Sequence, residues 1–262
     1  MSQYEAFIFD IWGVLHNGST PYPNATHLFQ QLNESARPYL LLSNTSRSAH
    51  FTSKQLQTID FEIPPEKIVT SGDMVRRYLY TQTQDPSTHQ NRYFLLSRFP
   101  AEQIVGDLEM ELVTQIEQAD VLIISTYSEE NEDKEVHRDI LERAASLGLP
   151  AICTNPDKVV PHENTKRYCA GFFSELYEKM GGNVAYFGKP HASIFTEALG
   201  RLKMPTDKIL MVGDTLETDI KGAYNATIDS ALMLTGNGEN WSAESMMSDT
   251  KHPTWIVKHL CD

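Results

Sequence analysis

The chain has 262 residues, of which 40% are apolar, with three Trp, eleven Tyr and eleven Phe. That supports a sizeable core in one large or two medium domains and excludes an intrinsically disordered chain. Lys and Arg number 22 against 35 Asp and Glu, a formal net charge of −13, which excludes a nucleic-acid binder and a polybasic membrane-surface protein, since both rest on clustered cations.

The chain opens Met1-Ser2-Gln3-Tyr4-Glu5 and passes directly into an apolar run, with no basic segment ahead of an apolar stretch to mark a signal peptide. Ala6-Phe7-Ile8-Phe9 reads as a strand buried on both faces and ends at Asp10. Asn24 is the expected N-cap of a helix whose Leu28, Phe29 and Leu32 share one face. Tyr39-Leu40-Leu41-Leu42 is the next buried strand and ends at Ser43-Asn44-Thr45. Residues 81–91 form a polar loop. Tyr93–Leu96 and Val121–Ile124 follow as strands. The charged run Glu129–Glu135 reads as the solvated start of a helix, acidic residues suiting its N-terminal dipole. Leu149–Thr154 is a further strand.

Ile194, Phe195, Ala198, Leu199 and Leu202 repeat at helical spacing. Lys208–Val212 is a strand ending at Gly213-Asp214, and Gly236-Asn237-Gly238 and the polar stretch to Pro253 read as a loop or short helix. Strands alternating with helices predict an α/β fold built on a parallel sheet. The middle reads as a second α/β unit, 74–182, inserted into a first domain made of 1–73 and 183–262. No apolar run exceeds about five residues, far short of a membrane span. Cys153, Cys169 and Cys261 are too few and too scattered for a disulfide framework and read as reduced thiols of a cytoplasmic protein.

Several strands of the outer domain end in polar residues, and ligands of open α/β sheets bind beyond the carboxyl ends of the strands. Asp10, Ser43, Asp214 and Asp219 are placed at such ends, and Lys189 lies in Gly188-Lys189-Pro190 just before a helix. Carboxylates gathered in one place repel unless a cation joins them, and an oxygen-only ligand set suits Mg²⁺. A carboxylate so held can attack phosphorus, while a Ser hydroxyl and a Lys ammonium hold the phosphoryl oxygens. Taken singly, each residue also suits a turn or a helix cap. The ordered set is what points to phosphoryl transfer.

The ordered set resembles the haloacid dehalogenase-like superfamily, subfamily IIA. The matching segments are Phe9-Asp10-Ile11-Trp12-Gly13-Val14-Leu15-His16-Asn17-Gly18, Leu42-Ser43-Asn44-Thr45-Ser46-Arg47, Phe187-Gly188-Lys189-Pro190 and Val212-Gly213-Asp214-Thr215-Leu216-Glu217-Thr218-Asp219-Ile220, with Thr154-Asn155-Pro156-Asp157 inside the insert. The resemblance implies a Rossmann-like core with an inserted α/β cap. It makes Asp10 the nucleophile that forms an aspartyl-phosphate, and Ser43 and Lys189 the residues that hold the phosphoryl group. It places Asp10, the Trp12 carbonyl, Asp214 and Asp219 around Mg²⁺, and Asn44, Asn155 and Asp157 near the substrate, the last two equally readable as a turn. The implied substrate is a small phosphorylated metabolite, and a cap of this type often accompanies a homodimer.

One position departs from the family pattern. The residue two after the nucleophile is usually a second Asp that protonates the leaving group, and here it is Trp12, in a branch that carries Trp there. Indole offers one N–H and shuttles no proton near neutral pH. The expected function is therefore a Mg²⁺-dependent phosphatase, with a catalytically impaired phosphometabolite-binding or regulatory protein as the alternative. His16 and His191, beside the motifs, are the residues available to replace the acid, though each reads equally as a solvated or packing residue. A dehalogenase fits less well because of the acidic pair Asp214 and Asp219, and a Rossmann dehydrogenase less again, since no Gly-x-Gly-x-x-Gly follows the first strand.

Overall fold

The computed structural model describes residues 3–84, 91–106, 108–162, 165–241, 252–258 and 260. The chain divides into two units. The first comprises Met1–Ser43, Ala49–Val69 and Lys189–Asp262, and the second Asn44–Ser48 and Thr70–Gly188. The second unit starts before and ends after the expected insert at 74–182.

The first unit is organised by a six-stranded sheet that draws on both ends of the chain. Strands β1 (Ala6–Phe9), β2 (Tyr39–Ser43) and β3 (Ile68–Thr70) come from the early part. Strands β12 (Ile209–Gly213), β13 (Asp229–Met233) and β14 (Trp255–Val257) come from the late part. The spatial order is β14-β13-β12-β1-β2-β3, and the pairings from β14 through β2 are parallel. β1 and β12 are buried along their whole length, which is why they read as unbroken apolar runs rather than as alternating patterns. Helices α1 (Ala25–Glu34), α2 (Ala49–Gln57), α7 (Ala192–Leu202) and α8 (Lys221–Asn225) belong to this unit. Phe29 of α1 fixes one side of the core, meeting Phe9, Tyr39 and Phe61 edge-on at 5.1, 5.1 and 5.9 Å between ring centres, a favoured aromatic geometry. At the margin of the sheet Trp255 Nε1 donates to the Tyr4 hydroxyl (2.8 Å), and that hydroxyl donates to Asp229 (2.7 Å), so the start and end of the chain are clasped to β13.

The second unit has its own parallel sheet: β4 (Arg92–Ser97), β5 (Glu111–Leu112), β6 (Val121–Ser125), β8 (Pro150–Cys153) and β11 (Asn183–Tyr186), in the order β11-β8-β6-β4-β5. A three-stranded antiparallel sheet, β7 (Ser128–Glu129), β10 (Thr165–Tyr168) and β9 (Val159–His162), accompanies it. Helices α3 (Ser71–Gln84), α4 (Ala101–Ile104), α5 (Arg138–Ser146) and α6 (Ala170–Lys179) complete the unit.

Three expectations need correction. Asn24 precedes α1 as expected, but it adopts a left-handed conformation (φ 66°) and its side chain makes no capping hydrogen bond. The charged run 129–135 does not start a helix. Glu129 lies in β7 and pairs with Arg167 (2.7 Å), Glu132 pairs with Arg98 (2.7 Å), and α5 begins only at Arg138. Acidic side chains there are fixed by arginines rather than by a helix dipole. Residues 81–84, expected in a loop, are the last turn of α3, and 85–90 lie outside the described residues.

Cys153 and Cys169 are free and buried, at 0% and 5% exposure. Burial pushes the Cys153 thiol up to about 12 and raises Cys169 as well, so neither supplies a reactive thiolate near neutral pH. Cys261 lies outside the described residues. A disulfide-exchange reagent such as Ellman's should leave Cys153 and Cys169 untouched in the folded chain and titrate both after denaturation. Peptide mass mapping of alkylated native protein checks this, and rapid native labelling at either residue would contradict the packing. No helix among the described residues is long and apolar enough to cross a membrane.

Candidate active site

Parallel strands deliver their carboxyl ends to one edge of a sheet. β1 ends at Asp10, β12 at Asp214 and β2 at the half-buried Ser43, and these three strands are neighbours in the order β12-β1-β2. Asp219 is carried to the same edge by a single π-helical turn, Leu216–Ile220, which follows β12. Lys189 stands just ahead of α7.

Four of these residues meet. Asp10, Asp214, Asp219 and Lys189 are 7, 1, 1 and 2% exposed. Lys189 Nζ donates to Asp10 Oδ1 and lies 2.7 Å from Asp219 Oδ1. The second contact is an ion pair without hydrogen-bond alignment, which is why that oxygen has no hydrogen bond of its own. Asp219 Oδ2 accepts from the Thr215 backbone N–H at 3.2 Å. One oxygen from each of the three carboxylates falls within 4.8 Å of the other two.

Three buried carboxylates sharing one ammonium hold a net negative charge away from water, a costly arrangement. Burial raises the Asp10 carboxyl well above its ordinary value. Lys189 opposes that rise, and Asp219 and Asp214 add to it. Burial, then Asp219, pushes Asp214 up to about 7, against the Asn237 N–H and the Thr215 hydroxyl, which favour the charged form. An all-oxygen, anionic and buried donor set is the chemistry that a small hard dication satisfies. These residues therefore fit Mg²⁺.

The loop after β1 closes against this cluster. Gly13 has φ +90°, and a Cβ there would stand 2.1 Å from Asp214 Oδ2, so that position admits only glycine. Trp12 is half-buried in the same loop. His16 accepts the Gly18 N–H at Nδ1 (2.9 Å), and burial holds its pKa down to about 4. A neutral ring with its basic nitrogen occupied does not replace the missing acid. His191 caps the start of α7 by position, without a side-chain capping bond.

The remaining expected site residues lie in the second unit. Asn44 Nδ2 donates to Asp157 Oδ1 at 2.8 Å, and Asn155 Oδ1 accepts the Asp157 N–H at 3.0 Å. The latter is the Asx turn that was the other reading of Asn155-Pro156-Asp157. The structure brings these three together, as it does the four residues of the acidic cluster. Two groups that touch the cluster escape the sequence reading, Thr215 and Asn237. Their only trace there is a Gly-Asn-Gly after an unrecognised strand.

Comparison with known proteins agrees with this geometry. Residues 7–108 match the family described as haloacid dehalogenase-like hydrolase, and residues 186–262 match the family described as HAD-hydrolase-like. The chain is 24% identical to an acid sugar phosphatase of Staphylococcus aureus strain USA300, covering 99% of this chain and 96% of that one. It is similar to the crystal structure of a haloacid dehalogenase-like hydrolase from Brucella suis, with TM-score 0.84, 27% identity, and 99% and 96% of the two chains covered. The p-nitrophenyl phosphatase from Archaeoglobus fulgidus shares the fold, with TM-score 0.78, 23% identity, and 98% and 96% covered.

Proposed function

Because the chain belongs to the haloacid dehalogenase-like hydrolases, we propose that it is a Mg²⁺-dependent phosphohydrolase of small phosphorylated metabolites, working through an aspartyl-phosphate on Asp10. The observation that carries this reading is the buried cluster of Asp10, Asp214 and Asp219 around Lys189 at the sheet edge. Asp10, Asp214, Asp219 and the Trp12 carbonyl would hold Mg²⁺, which when bound supplies positive charge against the carboxylates and the phosphoryl oxygens.

In this mechanism Asp10 forms an oxygen–phosphorus bond as the bond to the leaving oxygen breaks. Lys189 keeps the attacking carboxylate ionised and oriented, and Ser43 donates to a phosphoryl oxygen. The leaving oxygen departs with its electron pair and takes its proton from solvent, because Trp12 has none to give. Water then attacks the acyl phosphate, releasing phosphate and restoring Asp10. The second unit is the cap domain in this reading, with Asn44, Asn155 and Asp157 as its candidate substrate contacts.

A relative named acid sugar phosphatase supports sugar phosphates as the first substrates to test. Phosphate release from a panel of sugar phosphates and p-nitrophenyl phosphate should appear with Mg²⁺, fall to background in excess EDTA, and return when Mg²⁺ is restored. Activity untouched by EDTA would remove the metal from the reading.

Trp12 favours a second reading, a protein that binds a phosphorylated ligand with little turnover. Metal-dependent ligand binding in calorimetry, with no phosphate release across the panel, would select it. Ready turnover would remove it.

A further inference from the structure

Asp214 is gripped by a segment that belongs to none of the four motifs. β12 and β13 are adjacent parallel strands, so Asp214-Thr215 and the segment 234–238 emerge side by side, and β1 flanks β12 on the other side. Thr235 Oγ1 donates to the Gly13 carbonyl at 2.5 Å, tying this segment to the loop that follows Asp10. Gly236 has φ +54°, and a Cβ there would lie 2.3 Å from Asp214 Oδ2 and 2.6 Å from the Gly13 Cα. The bare backbone thus runs directly against the carboxylate. The next residue, Asn237, donates its N–H to Asp214 Oδ2 at 2.7 Å.

The other carboxylate oxygen is held through a relay. Thr215 Oγ1 donates to Asp214 Oδ1 at 2.9 Å, and Asn237 Nδ2 donates to Thr215 Oγ1 at 2.8 Å, across 22 residues of sequence. Counting protons sets the direction. A hydroxyl has one proton and two lone pairs, an ionised carboxylate only accepts, and an amide NH₂ only donates. With Asn237 Nδ2 on one lone pair of Thr215, the single hydroxyl proton is directed at Asp214. With the amide turned round, its oxygen would compete for that proton. Each oxygen of Asp214 therefore receives one donor and keeps lone-pair capacity for another partner.

We propose that Thr215 and Asn237 are positioning residues for the Asp214 carboxylate, which set the affinity of the site for a divalent cation by fixing how that carboxylate points. This rests on the reading that Asp10, Asp214 and Asp219 hold Mg²⁺. Partners that orient a metal-binding carboxylate typically contribute about 10–100-fold to metal affinity.

The test is calorimetric titration of Mg²⁺ into the metal-free full chain, with melting curves of the same samples. Thr215→Val, which keeps the shape and loses the hydroxyl, should weaken Mg²⁺ binding by about 10–100-fold. Thr215→Ser should restore it to within about threefold of the parent, since the donor returns. Asn237→Ala should weaken binding by a smaller factor, because the Thr215 hydroxyl loses only its director. The melting temperatures of the metal-free variants should stay close to that of the parent, which separates positioning from a loss of fold. Mg²⁺ affinity within twofold of the parent in both Thr215→Val and Asn237→Ala would overturn the inference while leaving the metal site standing. If Thr215→Val does not fold, Asn237→Ala decides. A parent chain that binds no Mg²⁺ at all would overturn both the inference and the reading beneath it.

Discussion

Asp10→Asn should lower phosphate release by roughly 10⁴-fold or more, the scale on which removal of a covalent nucleophile acts. The substitution conserves size and shape, so the loss reports chemistry. Asp10 is 7% exposed and shares Lys189 with Asp219. An amide at this position removes one of three buried carboxylates and leaves the ammonium its 2.7 Å partner in Asp219. Less like charge is then buried, so in EDTA the Asn variant should melt no lower than the parent. Activity and stability are expected to move independently, and that separates a lost nucleophile from a lost fold. Borohydride reduction of acid-quenched enzyme offers a direct check, since it converts an aspartyl-phosphate to homoserine, here at position 10. An Asn variant within tenfold of the parent rate would place the nucleophile elsewhere.

Trp12→Asp should raise turnover of alkyl phosphates by about 10²–10⁴-fold, the range in which general acid–base assistance acts, and change aryl phosphates far less. The reasoning is one of leaving-group basicity: an aryloxide departs without a proton, an alkoxide does not. The loop geometry leaves room for the change, since Trp12 is only half-buried and a Cβ on Gly18 would come within 3.2 Å of its indole nitrogen. The cost is a fourth carboxylate in a loop that already lies against Asp214, so the variant should need more Mg²⁺ or melt lower without it. Rates over a series of phosphate esters with graded leaving groups would measure the effect as a flattened dependence on leaving-group pKa. An unchanged slope would mean that the missing acid is not missed at this position.

Much of the fold was legible because its central strands are buried on both faces. Ala6–Phe9, Tyr39–Leu42 and Ile209–Val212 are apolar at every position, and a polar residue ends each run. That punctuation is local, so it exposed Asp10, Ser43 and Asp214 directly. Other features were hidden for physical reasons. β3 and β14 are three residues long, too short for any periodicity. Glu129 and Glu132 looked like solvated helix charges because their partners Arg167 and Arg98 are 38 and 34 residues away. Asn237 carries no mark of its own. Its role arises because β13 pairs with β12, and strand order is a tertiary fact. Trp12 was the reverse case, a residue conspicuous in the sequence as a departure, whose chemical meaning depends on a substrate.

The interleaving of the two units has a consequence for how the protein is made. β1 emerges first from a ribosome, yet one of its two neighbours, β12, begins at Ile209 and the last strand of the sheet ends at Val257. The sheet of the second unit is complete once Tyr186 has been synthesised. Non-local pairings form late and domains tend to fold as units. The second unit is thus available to fold while the earliest segment of the chain, with Phe7, Ile8 and Phe9, still waits for its partner. During that interval an apolar strand edge that the finished protein buries completely is open to other chains, and translation speed between Tyr186 and Val257 becomes a determinant of yield.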